Sequence, residues 1–318
     1  MLARLAMKTG SANHDRILAS AGDWAGSPMA LATVIETWRS APCPVGTHML
    51  VHADGRFVGS VSGGCVEGDV LHVAAEVIAG APAVVRRYGV ADGAAWEVGL
   101  PCGGDIQVLI QPVSETGFAP VLFDKVIKAR TVGQTLSVGT DLESGVSYIV
   151  EQDSDAEFIN IYPPPRRLLI VGAVEIAAAL AAIASSQGFA VTLCDPRARF
   201  LTAERFPSMT LDERWPDEAV RAFSPDSRSA VVTLSHDPKI DDPALIVALD
   251  SPAVYLAALG SKASHAARLG RLSAAGITDD QLARIEGPAG VSINAISAPE
   301  IALSIAGGMI RKFNDGLR

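Results

Sequence analysis

Leu168-Leu169-Ile170-Val171-Gly172-Ala173-Val174-Glu175-Ile176-Ala177 decides the fold. An unbroken apolar run of strand length ends at a glycine and passes into an alanine-rich helical pattern that lasts to Gln187. A second apolar run, Ala190 to Leu193, ends at Asp195. Strand, helix and strand in this order make a βαβ unit. The chain continues in kind, with apolar runs at Ser229–Leu234 and Ala253–Ala257 and helical patterns at 242–249, 262–275, 279–285 and 299–312. Strands that are apolar throughout and alternate with helices belong to a parallel sheet covered on both faces. Residues 166–318 are therefore predicted to form a Rossmann-like domain.

A dinucleotide site in such a domain uses G-x-G-x-x-G/A after the first strand. Gly172 fits the first position and Ala177 the last, but Val174 stands where the middle glycine lets a pyrophosphate approach the backbone. Asp195, at the end of the second strand, occupies the place of a ribose-binding acid. NAD(P) binding is therefore expected to be weak or absent. The later strand ends offer His236 in Ser235-His236-Asp237, and Ser261 and Lys262 in Gly260-Ser261-Lys262. Together with Gly172 and Asp195 these form a candidate nucleotide or ligand site, with helix capping as the alternative role of each polar residue.

Upstream, Tyr162-Pro163-Pro164-Pro165-Arg166-Arg167 reads as a stiff boundary, because consecutive prolines continue neither a helix nor a central strand. Residues 1–160 have a different texture. Strand patterns at 29–37, 48–52, 56–61, 84–88, 106–111, 134–138 and 146–150 mix with helical patterns at 14–24, 66–79 and 118–129. Ala53-Asp54-Gly55 reads as a hairpin turn. A mixed α+β domain is expected, followed by the Rossmann-like one.

Within the first domain, Gly59-Ser60-Val61-Ser62-Gly63-Gly64-Cys65-Val66-Glu67 links a strand to a helix, and Gly99-Leu100-Pro101-Cys102-Gly103-Gly104 echoes it. Gly63 and Gly64 allow a sharp turn, and amides at a helix start offer a seat for an anion such as phosphate. Cys65 lies at the helix entrance, where a thiolate is favoured, with Glu67 in the first turn. Gly63, Gly64, Cys65, Glu67, Cys102, Gly103 and Gly104 are taken together as one shared ligand site, which the family resemblance given below makes cofactor-binding. Two tight turns with buried cysteines are the plainer alternative. His48, His52 and His72 flank the first turn, but their spacing matches no zinc template.

The 318 residues carry a net charge of −9, which argues against nucleic-acid or anionic-membrane binding. Hydrophobic residues make up 49%, enough for sizeable cores. The four cysteines include no C-x-x-C pair, and no apolar run is long enough to span a membrane. A reduced, cytoplasmic protein is expected.

On these residues the chain resembles the xanthine dehydrogenase accessory protein family (XdhC/CoxI). The resemblance rests on Ala32 to Thr37 with Ser40-Ala41-Pro42, the Gly59–Glu67 and Gly99–Gly104 motifs, Leu234 to Asp237, Gly260 to Lys262, Gly287 to Ile293 and Pro299 to Ala302. It implies a non-enzymatic maturation factor with no catalytic residues. Such a factor binds molybdenum cofactor (molybdopterin), protects it while its terminal sulfur is installed, and delivers it to a xanthine dehydrogenase-type apoenzyme. A cysteine desulfurase as a further partner, a homodimer, and Cys65 as a molybdenum contact follow from the same resemblance. Rival classes are an NAD(P)-dependent oxidoreductase and a thiol redox switch using Cys65 and Cys102.

Overall fold

The structure is a computed structural model that describes residues 11–39, 41, 43–89, 104–151 and 156–315. The chain divides into two compact units, Met1–Pro164 and Pro165–Arg318.

The first unit is built on a five-stranded antiparallel sheet. Its strands are β1 (Met29–Trp38), β2 (His48–His52), β3 (Phe57–Gly59), β4 (Val84–Tyr88) and β5 (Asp105–Pro112), in the order β3-β2-β1-β5-β4. Central β1 is buried on both faces from Met29 to Val34. Side chains alternate across a strand, so Ala30, Ala32 and Val34 join one apolar cluster while Met29 and Leu31 join another. The first cluster takes Val70, Val73, Ala74 and Val77 from helix α2 (Glu67–Ile78). The second takes Ile17 and Leu18 from α1 (Ser11–Asp23), and Leu122, Phe123 and Val126 from α3 (Pro120–Thr131). A three-stranded antiparallel sheet completes the unit, with β6 (Leu136–Thr140) between β7 (Ser147–Val150) and β8 (Phe158–Tyr162).

The predicted strand over 56–61 shortens to Phe57–Gly59, because the amides beyond it turn away to bond side chains of the following turn. Strand β8 lies in a stretch to which the sequence reading assigned no element. Its backbone pairs along all of β6, so the three prolines follow a strand directly.

The second unit is a six-stranded, wholly parallel sheet. Its strands are β9 (Arg166–Val171), β10 (Phe189–Cys194), β11 (Thr210–Asp212), β12 (Ser229–Thr233), β13 (Tyr255–Ala258) and β14 (Ile285–Glu286), in the order β11-β10-β9-β12-β13-β14. This is the doubly wound Rossmann order, with its switch point between the first and fourth strands, β9 and β12. Leu168 to Val171 are completely buried. Leu168 and Ile170 pack with α4 (Glu175–Ser186) and α9 (Ala298–Asn314), and Leu169 and Val171 with α5 (Pro216–Phe223) and α6 (Pro238–Leu249). At roughly 1.5–3 kcal/mol for each fully buried Leu or Ile, this one strand anchors both layers. Helix α7 (Lys262–Ala274) and the four-residue α8 (Asp279–Leu282) complete the unit.

Candidate functional site

The glycine-rich turn of the first unit runs from Ser60 to Val66 between β3 and α2. Gly63 and Gly64 have φ of 75° and 118°, which a residue with a side chain adopts only under strain. Glu67, the first residue of α2, folds its carboxylate back into the turn. One oxygen accepts from the Val61 amide (3.1 Å), the Ser62 amide (2.9 Å) and the Ser60 hydroxyl. The other accepts from the Gly64 amide (2.8 Å) and the Ser62 hydroxyl. The Ser62 oxygen in turn accepts from the Cys65 and Val66 amides, both at 3.0 Å, and the Ser60 oxygen from the Gly63 amide at 2.8 Å. All six amides from Val61 to Val66 therefore end on the turn's own side chains.

This corrects the expectation of a phosphate seat at these amides. The anion the turn wraps is the Glu67 carboxylate, and no backbone donor of this stretch is left for another. Burial alone would raise the Glu67 carboxyl, but the Ser60 and Ser62 hydroxyls and the Ser62 amide outweigh it and hold it at about 2. Cys65 stands just before the helix on this fixed turn, half-buried against the core under α2. Cys43, in the loop between β1 and β2, reaches the same turn. Burial pushes its thiol up, beside the Ser60 hydroxyl, the Glu67 charge and the Gly63 amide. Only the loop's two prolines marked that stretch in the sequence, and nothing in its spacing pointed to Gly63. Of the second motif, Gly104 is buried at the start of β5, while Cys102 and Gly103 lie outside the described residues, and with them any Cys65–Cys102 pairing.

The histidines near the turn have separate structural roles. His48 is buried, its Nδ1 2.9 Å from Thr33 Oγ1 and its Nε2 2.8 Å from Tyr162 Oη. His52 takes the Asp54 amide at 3.1 Å, and exposed His72 faces Glu76 at 3.5 Å. Among the described residues no three His, Cys, Asp or Glu side chains group to hold a metal ion.

In the second unit, both remnants of the dinucleotide fingerprint are already engaged. Gly172 has φ of 102°, and a Cβ there would lie 2.8 Å from the Ser235 amide nitrogen, so this glycine lets the first turn pass against the end of β12. Asp195 is fully buried. Its carboxylate accepts the Ala173 amide (2.8 Å), the Arg197 amide (2.9 Å) and a two-pronged Arg197 guanidinium (2.8 Å each). It ties the first turn to the second strand and has no oxygen left for a ribose in this arrangement. The same device recurs one strand over, where Asp212 holds the Arg214 amide and guanidinium. Val174, in extended conformation, is the residue before α4. Ser261 caps α7 by accepting the Ser264 amide (3.1 Å), and Lys262 beside it is exposed. His236, with φ of 62°, is exposed at the mouth of a pocket past β12, whose floor holds two residues the sequence reading missed, Asp241 and Arg268.

Among the described residues no helix is long and apolar enough to cross a membrane. Against known proteins, residues 24–89 match the model of the XdhC and CoxI family, and residues 168–309 match that of the XdhC Rossmann domain. The chain is 28% identical over 284 residues to the molybdenum cofactor insertion chaperone PaoD of Escherichia coli, covering 88% of this chain and 82% of that one. It is 24% identical over 312 residues to a probable xanthine dehydrogenase component of Bacillus subtilis, covering 88% and 92%. A crystal structure described as a xanthine dehydrogenase from Bacillus halodurans superimposes with a TM-score of 0.81 at 25% identity, over 95% of this chain and 96% of that one. The glycine-rich cysteine turn lies within the first matched segment and the doubly wound sheet spans the second, so on both halves of its fold the protein belongs to the XdhC and CoxI family.

Proposed function

We propose that this protein is a maturation chaperone that holds molybdenum cofactor at the Cys65 turn and delivers it to a xanthine dehydrogenase-type apoenzyme. The observation that carries this reading is the turn itself, a half-buried thiol presented on a backbone fixed from within by Glu67. A thiolate is a soft ligand suited to a sulfur-rich molybdenum centre. With the turn's amides consumed, contact with the cofactor falls to side chains, Cys65 first and Cys43 beside the same turn. Cys102, Gly103 and Gly104 are assigned to the same site from the sequence. One thiol without a closed ligand set suits a carrier that must release its cargo. The likeness to PaoD over most of the chain supports the cargo, and the xanthine dehydrogenase-related proteins support the recipient.

We read the two units as separate domains, the first carrying the cofactor and the second not binding NAD(P). Val174 stands in the sequence where the fingerprint needs a bare backbone, and Gly172 and Asp195 are engaged within the fold.

The test is affinity purification from molybdate-replete cells with metal and pterin analysis. Wild type should carry both molybdenum and pterin, and Cys65→Ala should lose them while keeping its circular dichroism spectrum. Full cofactor content in the folded variant would remove Cys65 from the site.

A further inference from the structure

Strand β1 ends at Trp38, which stands opposite Asp105, the first residue of β5. From this end of the sheet the chain runs into the loop whose Cys43 reaches the glycine-rich turn. Gly104, of the second cysteine motif, leads into β5 at the same end. A bulge between Val34 and Glu36 shifts the alternation of β1, and beyond it Glu36 and Trp38 are exposed. Trp38 leaves 55% of its surface in water. Arg39 follows with φ of 61°, a left-handed backbone that a residue with a side chain adopts at a cost. Its guanidinium lies over the Trp38 ring, 4.0 Å from the centroid. Backbone strain of this kind concentrates where a surface is shaped for a function.

The groups around the ring indicate what covers it. A hollow of about 270 Å³ opens beside Trp38 and is lined also by Glu36, Arg87, Asp105 and Gln107. Arg87 is paired with Asp105 at 3.2 Å, and the Gln107 amide donates to Glu36. Arg39 has no carboxylate partner among the described residues and meets only the ring. The guest therefore has an apolar group for Trp38 and a carboxylate for Arg39. Glu36 and Asp105 leave no surplus of positive charge, which disfavours a multiply charged anion such as phosphate. Trp and Arg dominate the centres of protein interfaces, inside a ring of polar contacts that exclude water. Trp38 and Arg39 form such a centre here, and the two side-chain pairs form its rim.

We propose that Trp38 and Arg39 are the docking face for the recipient apoenzyme, which lays an apolar side chain on the ring and a carboxylate against the guanidinium. The proposal rests on the carrier reading, since a recipient has to seat beside the loops assigned to the cargo.

Biolayer interferometry of the full chain, purified from molybdate-replete cells, against a xanthine dehydrogenase apoenzyme from molybdate-starved cells tests it. Wild type should bind. Trp38→Ala, Arg39→Glu and Arg39→Gly should each weaken binding at least about tenfold, with cofactor content unchanged. Arg39→Gly relieves the left-handed backbone, so it should melt no lower than wild type while binding worse, which a purely structural role does not predict. Wild-type affinity in the three variants would overturn the docking face and leave the carrier reading intact. Loss of cofactor from Trp38→Ala would place the ring at the cargo and overturn the assignment. No binding by wild type would overturn delivery, and the face with it. Self-association that Trp38→Ala abolishes, with apoenzyme binding unchanged, would overturn the proposal by giving the face to a second copy.

Discussion

Glu67→Gln changes one atom of the side chain and leaves its shape. The carboxylate accepts five hydrogen bonds, three from amides that cannot rotate away. A glutamine must direct its NH2 either at the Val61 and Ser62 amides or at the Gly64 amide. Either the buried Val61 and Ser62 N–H groups or the more exposed Gly64 N–H then loses its acceptor, at up to about 1–3 kcal/mol. The carboxyl lies at about 2 against 4.5 for an ordinary glutamate, which at 1.36 kcal/mol per pKa unit is roughly 3 kcal/mol favouring the ordered turn. The two routes agree. With a depressed folded value, this stability is complete above pH 4.5 and is lost as the pH falls toward 2. Hydrogen–deuterium exchange over residues 60–66 reads it directly. At pH 7 the variant should exchange roughly 100-fold faster than wild type, since 1.4 kcal/mol is about tenfold. At pH 3 the ratio should shrink to about tenfold. Equal protection at pH 7 would show that the carboxylate does not hold the turn. A ratio independent of pH would show that its charge is irrelevant.

Three other outcomes are expected. Burial, then the Arg130 charge, lower His14 to about 4 from 6.5, so the folded first unit keeps it neutral. Stability from this site is present above pH 6.5 and lost as the pH falls toward 4, by roughly 3 kcal/mol at 1.36 kcal/mol per unit. His14→Phe, which keeps a ring against Tyr162, should flatten that part of the melting profile, and an unchanged profile would assign the acid sensitivity elsewhere. Gly172→Ala forces a Cβ at positive φ against the Ser235 amide and should cost roughly 2 kcal/mol or more. That is about 4–8 °C in the melting temperature of a unit this size, and an unchanged melt would refute the packing role. NAD and NADP should give no calorimetric binding, and micromolar affinity for either would reverse the reading of Val174 and Asp195.

Much of the architecture was legible because it is written in periodicity. The unbroken apolar run Leu168 to Val171 could only be a strand buried on both faces, and the alternation around it gave a parallel sheet. What escaped detection was short or at an edge. Strand β11 spans three residues and its Thr210-Leu211-Asp212 carries no pattern, while α5 opens on Pro216 within a charged stretch. Strand β8 was overlooked because Phe158 to Tyr162 adjoins the prolines. At the sites, the sequence reading located the turn and the strand ends but not the hydrogen bonds that their polar atoms make within the fold. Glu67 and Asp195 sit at the expected places, yet each carboxylate serves its own loop, because which donors reach an oxygen is decided by folding and not by spacing. Asp241 and Arg268 are 27 positions apart (268 − 241) on different helices, and no motif connects them.

The ring of hydrogen bonds around Glu67 also bears on kinetics. On the proposed carrier role, a turn tied to its own carboxylate is ordered before any cargo arrives, so the entropy of ordering it belongs to folding and is absent from capture. The converse also holds, since nothing in the turn must melt for release. Capture and release should then run through the same rigid surface, with residence time set by the few side-chain contacts to the cargo. For a carrier that hands on its load, such preorganisation favours quick exchange at moderate affinity over tight retention.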